Sequence, residues 1–110
     1  MRMPINQPPI HPGEILQEEF LKPYRITTTE LAEKIELSVE QIDAIIKAQQ
    51  SISTDMALRL SRLFQTSPEL WLNGQMKWDI WHILHGKQAN QLDKIRPIVP
   101  LTSQLSYLPA

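Results

Sequence analysis

The chain has 110 residues, with 11 Lys and Arg against 12 Asp and Glu, for a net charge of −1 with His neutral. That length suits one domain plus a tail, and that charge excludes the strongly basic footprint of a non-specific nucleic-acid binder. Cysteine is absent, which excludes disulfides and thiolate metal sites, and no apolar run reaches the length of a membrane span.

Residues 1–10 carry Pro4, Pro8 and Pro9 and are expected to form a flexible arm. The same stretch has one Arg and no apolar h-region, so it does not read as a secretory signal, and the expected location is cytoplasmic. His11-Pro12-Gly13-Glu14 opens the first helix, with Pro suited to the first helical position and Glu to the first turn. Ile15, Leu16, Phe20 and Leu21 recur at helical spacing, and Pro23 is expected to end that helix.

Thr27 with Glu30, and Ser38 with Gln41, are two capping-box signatures that start a second and a third short helix. In the stretch TTELAEKIELSVEQIDAIIK, Leu31, Ala32 and Ile35 mark the inner face of one helix. Ile42 and Ile45 mark that of the next, and Leu37 fills the turn. The small Ala32 lets the two backbones approach. This is the pattern of a helix-turn-helix, whose second helix enters the major groove of DNA.

Gln49, Gln50 and Ser51 form a polar loop. Ser53 caps a fourth helix whose core residues are Ala57, Leu60, Leu63 and Phe64, with Arg59 and Arg62 on its outer face. Ser67-Pro68 starts a fifth helix that runs through Trp71, Trp78, Ile80, Trp81 and Leu84 and is expected to stop at Gly86. Periodicity is lost after Lys87, where Pro97, Pro100 and Pro109 punctuate short apolar fragments; a disordered or extended arm is expected there. The expected organisation is an arm over residues 1–10, a helix-turn-helix domain over 11–86 and a Pro-containing tail over 87–110.

With these motifs in place, residues 11–79 resemble one family. The carriers are HPGEIL-EEFL, LA--I-LS---I--I, IS---A-RLS--F and SPE-WLN-Q. The chain resembles a HigA-type (virulence-associated protein I type) antitoxin of the lambda-repressor-like helix-turn-helix family. The resemblance implies an all-α, five-helix DNA-binding domain. It implies a homodimer that represses its own operon and neutralises a HigB-type toxin, a small ribonuclease that cuts messenger RNA at the ribosome. The chain departs from the family in two places: Glu36 stands where the turn usually has Gly, and Ala48-Gln49-Gln50 stands where a Gly and basic residues usually follow the third helix.

The candidate DNA surface comprises Thr28, Thr29, Ser38, Val39, Glu40, Gln41, Asp43, Ala44, Lys47, Gln49, Gln50 and Ser51. Its electrostatics are unusual. Residues 28–47 hold five acids (Glu30, Glu33, Glu36, Glu40, Asp43) and two bases (Lys34, Lys47), a balance that repels phosphate. Carboxylates still accept from cytosine N4, Gln41 suits adenine unless its capping role holds the side chain, and Val39 and Ala44 suit a thymine methyl. Thr28 and Thr29 lie at a helix N-terminus that favours phosphate, and Gln49, Gln50 and Ser51 add neutral donors.

His82 and His85 are one helical turn apart, but a metal site needs more ligands than they supply, and two His near a helix C-terminus also read as electrostatic caps. Trp71 and Trp78 are expected toward the core. Trp78, Ile80, Trp81 and Leu84 form a candidate surface for a second subunit or another partner. No nucleophile–base set is visible, so neither an enzyme nor a cofactor is expected. The leading expectation is a dimeric repressor on an inverted-repeat operator in double-stranded DNA. The alternatives are a toxin-binding module with weak or no DNA binding, favoured by the acidic third helix, and a stand-alone regulator.

Overall fold

The structure is a computed structural model that describes residues 7–100; the expected arm up to residue 6 and the last ten tail residues lie outside the described residues. The described residues are all-helical, without strands. Helix α1 covers residues 12–24 as one continuous rod of three parts: an α turn Pro12–Ile15, a π-helical segment Leu16–Leu21 and a final turn Lys22–Tyr24. Then follow α2 (Thr28–Ile35), α3 (Val39–Ile46), α4 (Thr54–Phe64), α5 (Pro68–Leu84) and a short α6 (Ala89–Asp93).

Pro23 does not end α1, contrary to expectation. In a straight α-helix its ring would strike the Glu19 carbonyl. The preceding turn is instead widened to i→i−5 bonding, with the Lys22 N–H donating to the Gln17 carbonyl, and this moves the obstructing carbonyl aside. The rod ends at Arg25, which is left-handed at φ 55°. The stretch after Lys87 also departs from expectation, because α6 forms one short helix there. Gly86 follows α5, but without a left-handed backbone.

Leu16, Leu31, Ile42, Ile45, Leu60 and Trp71 are the largest wholly buried apolar side chains and form the centre of the core. Helix α2 packs across α3 and α4, α1 lies against α3 and α5, and α4 runs along α5. The start of α1 touches the end of α3 so closely that a Cβ on Gly13 would sit 1.9 Å from the Ile45 carbonyl oxygen. Only glycine fits this crossing. His11 caps α1, its Nδ1 accepting from the Gly13 N–H at 2.9 Å. Gln75, buried on α5, bridges two elements. Its Oε1 accepts from the Ile52 N–H at 2.8 Å, and its Nε2 donates to the Asp79 carboxylate at 3.0 Å.

Candidate nucleic-acid interface

Both capping boxes are formed. The Glu30 N–H donates to Thr27 Oγ1 at 3.0 Å while the Thr27 N–H donates to the Glu30 carboxylate at 3.1 Å. At the start of α3, the Gln41 N–H donates to Ser38 Oγ at 3.1 Å. Gln41 Oε1 in turn accepts from the Ser38 N–H at 3.0 Å and from Ser38 Oγ at 3.1 Å. These boxes fix where α2 and α3 begin, and therefore which residues point outward.

The turn between α2 and α3 is a Schellman-type stop. Glu36 is left-handed at φ 58°, and the Leu37 N–H reaches back to the Ala32 carbonyl at 3.1 Å. Glu36 thus takes the conformation that glycine favours, at a cost of about 1 kcal/mol. Ala48 does the same after α3, at φ 58°, with the Gln49 N–H bonded to the Ala44 carbonyl at 2.8 Å. Arg59 of α4 locks the turn from behind: its guanidinium donates to the Ile35 carbonyl at 2.7 Å and to the Asp55 carboxylate at 2.8 Å. It therefore serves the fold, closing an orphan carbonyl at the end of α2, where a cation is also favoured by the helix dipole. Arg62 remains exposed.

Leu31, Ala32, Ile35, Ile42 and Ile45 are buried where α2 and α3 meet, as the periodicity predicts. Thr29, Ser38, Glu40, Gln41, Lys47, Gln49, Gln50 and Ser51 are exposed. Thr28, Val39, Asp43 and Ala44 are half-buried, and Val39 packs against the core. A continuous outer face of α3 therefore stands free, from Ser38 at its cap to Lys47 at its end. Its acids stand free as well, since the ion pairs among the described residues are Lys22–Glu18 and Arg59–Asp55.

One cationic feature was not apparent in the sequence. The end of α1 carries Lys22 and Arg25 to the N-terminus of α2, where with Gln17, Thr27 and Thr28 they line a shallow cavity of about 400 Å³. The signal was divided between two segments, since a Lys and an Arg before Thr27 mean little until the turn after Tyr24 folds them beside the α2 amides.

Away from this face, the second half of α5 carries the other candidates. Trp78 is half-buried, its ring edge-on to His11 at 4.9 Å and tilted against His82 at 4.0 Å. Trp81 is half-buried and stacked on His85 at 4.0 Å, with an indole N–H that is hidden from solvent and has no hydrogen-bond partner. Ile80 and Leu84 are exposed at 40% and 55%. His82 and His85 each bond through Nδ1 to the carbonyl one turn earlier, at 2.9 and 2.8 Å. Among the described residues no three His, Asp or Glu gather as metal ligands, and no helix is long and apolar enough to cross a membrane.

Comparison with known proteins places this geometry. A family profile described as helix-turn-helix matches residues 18–71. Virulence-associated protein I of Dichelobacter nodosus is 40% identical over 98 residues, 89% of this chain and 86% of that protein. The solved structure described as Pseudomonas aeruginosa antitoxin HigA with higBA promoter superposes with a TM-score of 0.75 at 36% identity, covering 83% of this chain and 99% of that one. Antitoxin GraA in complex with its operator superposes with a TM-score of 0.77 at 32% identity, covering 90% of this chain and all of that one (100%). On these matches the chain belongs to the HigA-type (virulence-associated protein I type) family of helix-turn-helix antitoxins and transcriptional regulators, which are not enzymes.

Proposed function

We propose that this chain is the antitoxin of a type II toxin–antitoxin pair: a cytoplasmic homodimer that represses its own operon at an inverted repeat and neutralises a HigB-type toxin ribonuclease. The observation that carries the DNA-binding half is the free outer face of α3, with its cap locked and its turn braced by Arg59. Base edges are met by residues from Ser38 to Lys47, including Glu40, Asp43 and Ala44. Phosphates are met by the α2 amides with Thr28 and Thr29, and by Gln49, Gln50 and Ser51 in the loop after α3. Arg25, beside the α2 N-terminus, supplies positive charge that α3 lacks, while the neighbouring Lys22 is paired with Glu18. The second subunit is held through the apolar outer side of α5, around Ile80, Leu84, Trp81 and the edge of Trp78.

A second reading is favoured by one observation. The acids along α2 and α3 outnumber the bases and are not paired with one another, which suits a module that binds a toxin and leaves DNA alone. An electrophoretic shift on the DNA upstream of the reading frame separates the two. The repressor gives a sequence-specific shift that weakens with salt, and the slope of log affinity against log salt is shallow because few phosphates are neutralised. No specific shift at low salt, together with capture of the neighbouring gene's product, supports the second reading. A neighbouring frame that encodes no toxin, with a specific shift retained, indicates a stand-alone regulator.

A further inference from the structure

The cap that starts α3 decides what Gln41 has to offer a base. Gln41 Oε1 faces the Ser38 backbone N–H at 3.0 Å, and a backbone N–H can only donate, so the oxygen and not the amide nitrogen occupies that side. Ser38 Oγ also approaches Oε1, at 3.1 Å. A carboxamide oxygen has two lone pairs, and these two contacts fill both. Gln41 is exposed in the first turn of α3, and its Nε2 has no partner among the described residues. The bidentate pairing of glutamine with adenine needs Oε1 to accept from the adenine N6 amino group while Nε2 donates to N7. That oxygen is already committed to the cap.

Resting on the DNA-binding reading above, we infer that Gln41 is a specificity-determining residue that reads the major groove as a donor only. It favours a base edge made of acceptors, guanine O6 and N7 or thymine O4, and forgoes the adenine pairing usual for glutamine. Ser38 is the positioning residue that imposes this choice. The same cap holds the Gln41 side chain in one orientation, so the selectivity is built in before DNA arrives.

The test is selection from a duplex library with randomised half-sites, run on the full chain and on two variants. Gln41→Glu keeps an acceptor for the Ser38 N–H, so its helical circular dichroism and melting should match wild type while the donor is gone. Ser38→Ala leaves Gln41 in place and frees one Oε1 lone pair. The wild type should enrich guanine or thymine at one position per half-site, and 7-deazaguanine there should weaken binding about fivefold to tenfold. Gln41→Glu should lose that enrichment, and Ser38→Ala should shift it toward adenine. Enrichment of adenine by the wild type, with affinity lost when the adenine amino group is removed, overturns the inference and leaves the DNA-binding reading intact. Unchanged base preference in Gln41→Glu likewise overturns it. Failure of the wild type to enrich any sequence removes the DNA-binding reading, and the inference with it.

Discussion

His11 shows how a single side chain couples chemistry to the fold. It is buried, caps α1 through an unprotonated Nδ1 and meets the Trp78 ring edge-on. Burial pulls its pKa below the ordinary value; Asp79 acts in the opposite direction, and His82 adds to the lowering. The unfolded chain therefore binds more protons than the folded one just below about pH 6.5, and stability rises with pH across that window. The contribution is complete above about pH 6.5 and is lost as pH falls through the folded-state value. Melting temperatures recorded between pH 8 and pH 5 should decline toward acid. His11→Asn, which still caps but does not titrate, should decline less steeply. Equal slopes for the two proteins would show that His11 is not the titrating group. The same residue scale explains why Arg59 and Gln75 escaped the sequence reading. Each is an ordinary polar residue on a helix, and its partner lies in a different segment: the Ile35 carbonyl for one and the Ile52 N–H for the other.

Helix stops are the recurring device at the scale of elements. Residues 25, 36, 48 and 65 are all left-handed, none is glycine, and each is followed by a backbone N–H that reaches back five residues. Arg25, Glu36, Ala48 and Gln65 thus each hold a conformation that costs a Cβ-bearing residue about 1 kcal/mol. The strain is tolerated because Ile26 and Leu37, which follow two of these stops, pack onto the core and hold the chain there. Glu36→Gly should consequently stabilise the protein by about 0.5–1 kcal/mol in urea denaturation, the relief at φ 58° exceeding the entropy that glycine adds to the unfolded chain. It also removes an acid next to α3 and should tighten DNA binding at low salt. A loss of stability would mean that the Glu36 side chain makes a contribution beyond its backbone. The π-helical segment of α1 belongs to this scale too. It places Pro23 inside the rod, and so carries the chain on to Arg25 at the α2 N-terminus.

The whole molecule is longer than its core requires. The radius of gyration is 18.3 Å, against about 13 Å for a compact domain of roughly this length. Helix α5 alone has 17 residues, about 25 Å of rod. It is apolar around most of its circumference, yet Trp71 and Gln75 are its buried residues, and Met76, Ile80, Ile83 and Leu84 are exposed toward its end. A helix apolar on all sides is expected to be covered. In the proposed dimer a second copy covers it and sets the spacing of the two α3 helices. Ile80→Glu combined with Leu84→Glu should convert the dimer to monomer in sedimentation and weaken operator binding by about tenfold or more. Its far-ultraviolet circular dichroism should be unchanged, because both side chains are exposed within one chain. A variant that remains dimeric would place the interface elsewhere.

Local pattern alone determined the two capping boxes, the buried residues of α2 and α3 and the starts of α4 and α5, because capping hydrogen bonds span three residues and helical faces repeat every three or four. Tertiary structure decided the rest. That Pro23 would sit inside a rod depended on a neighbouring turn widening, and that Glu36 would accept a left-handed backbone depended on Leu37 having a core to enter. The cationic edge beside α2 needed the end of α1 to fold back onto it. The widened turn and the folded-back end of α1 depend on backbone geometry over a few residues, and the seat of Leu37 depends on a core gathered from the whole chain; neither leaves a periodic trace in the order of residues.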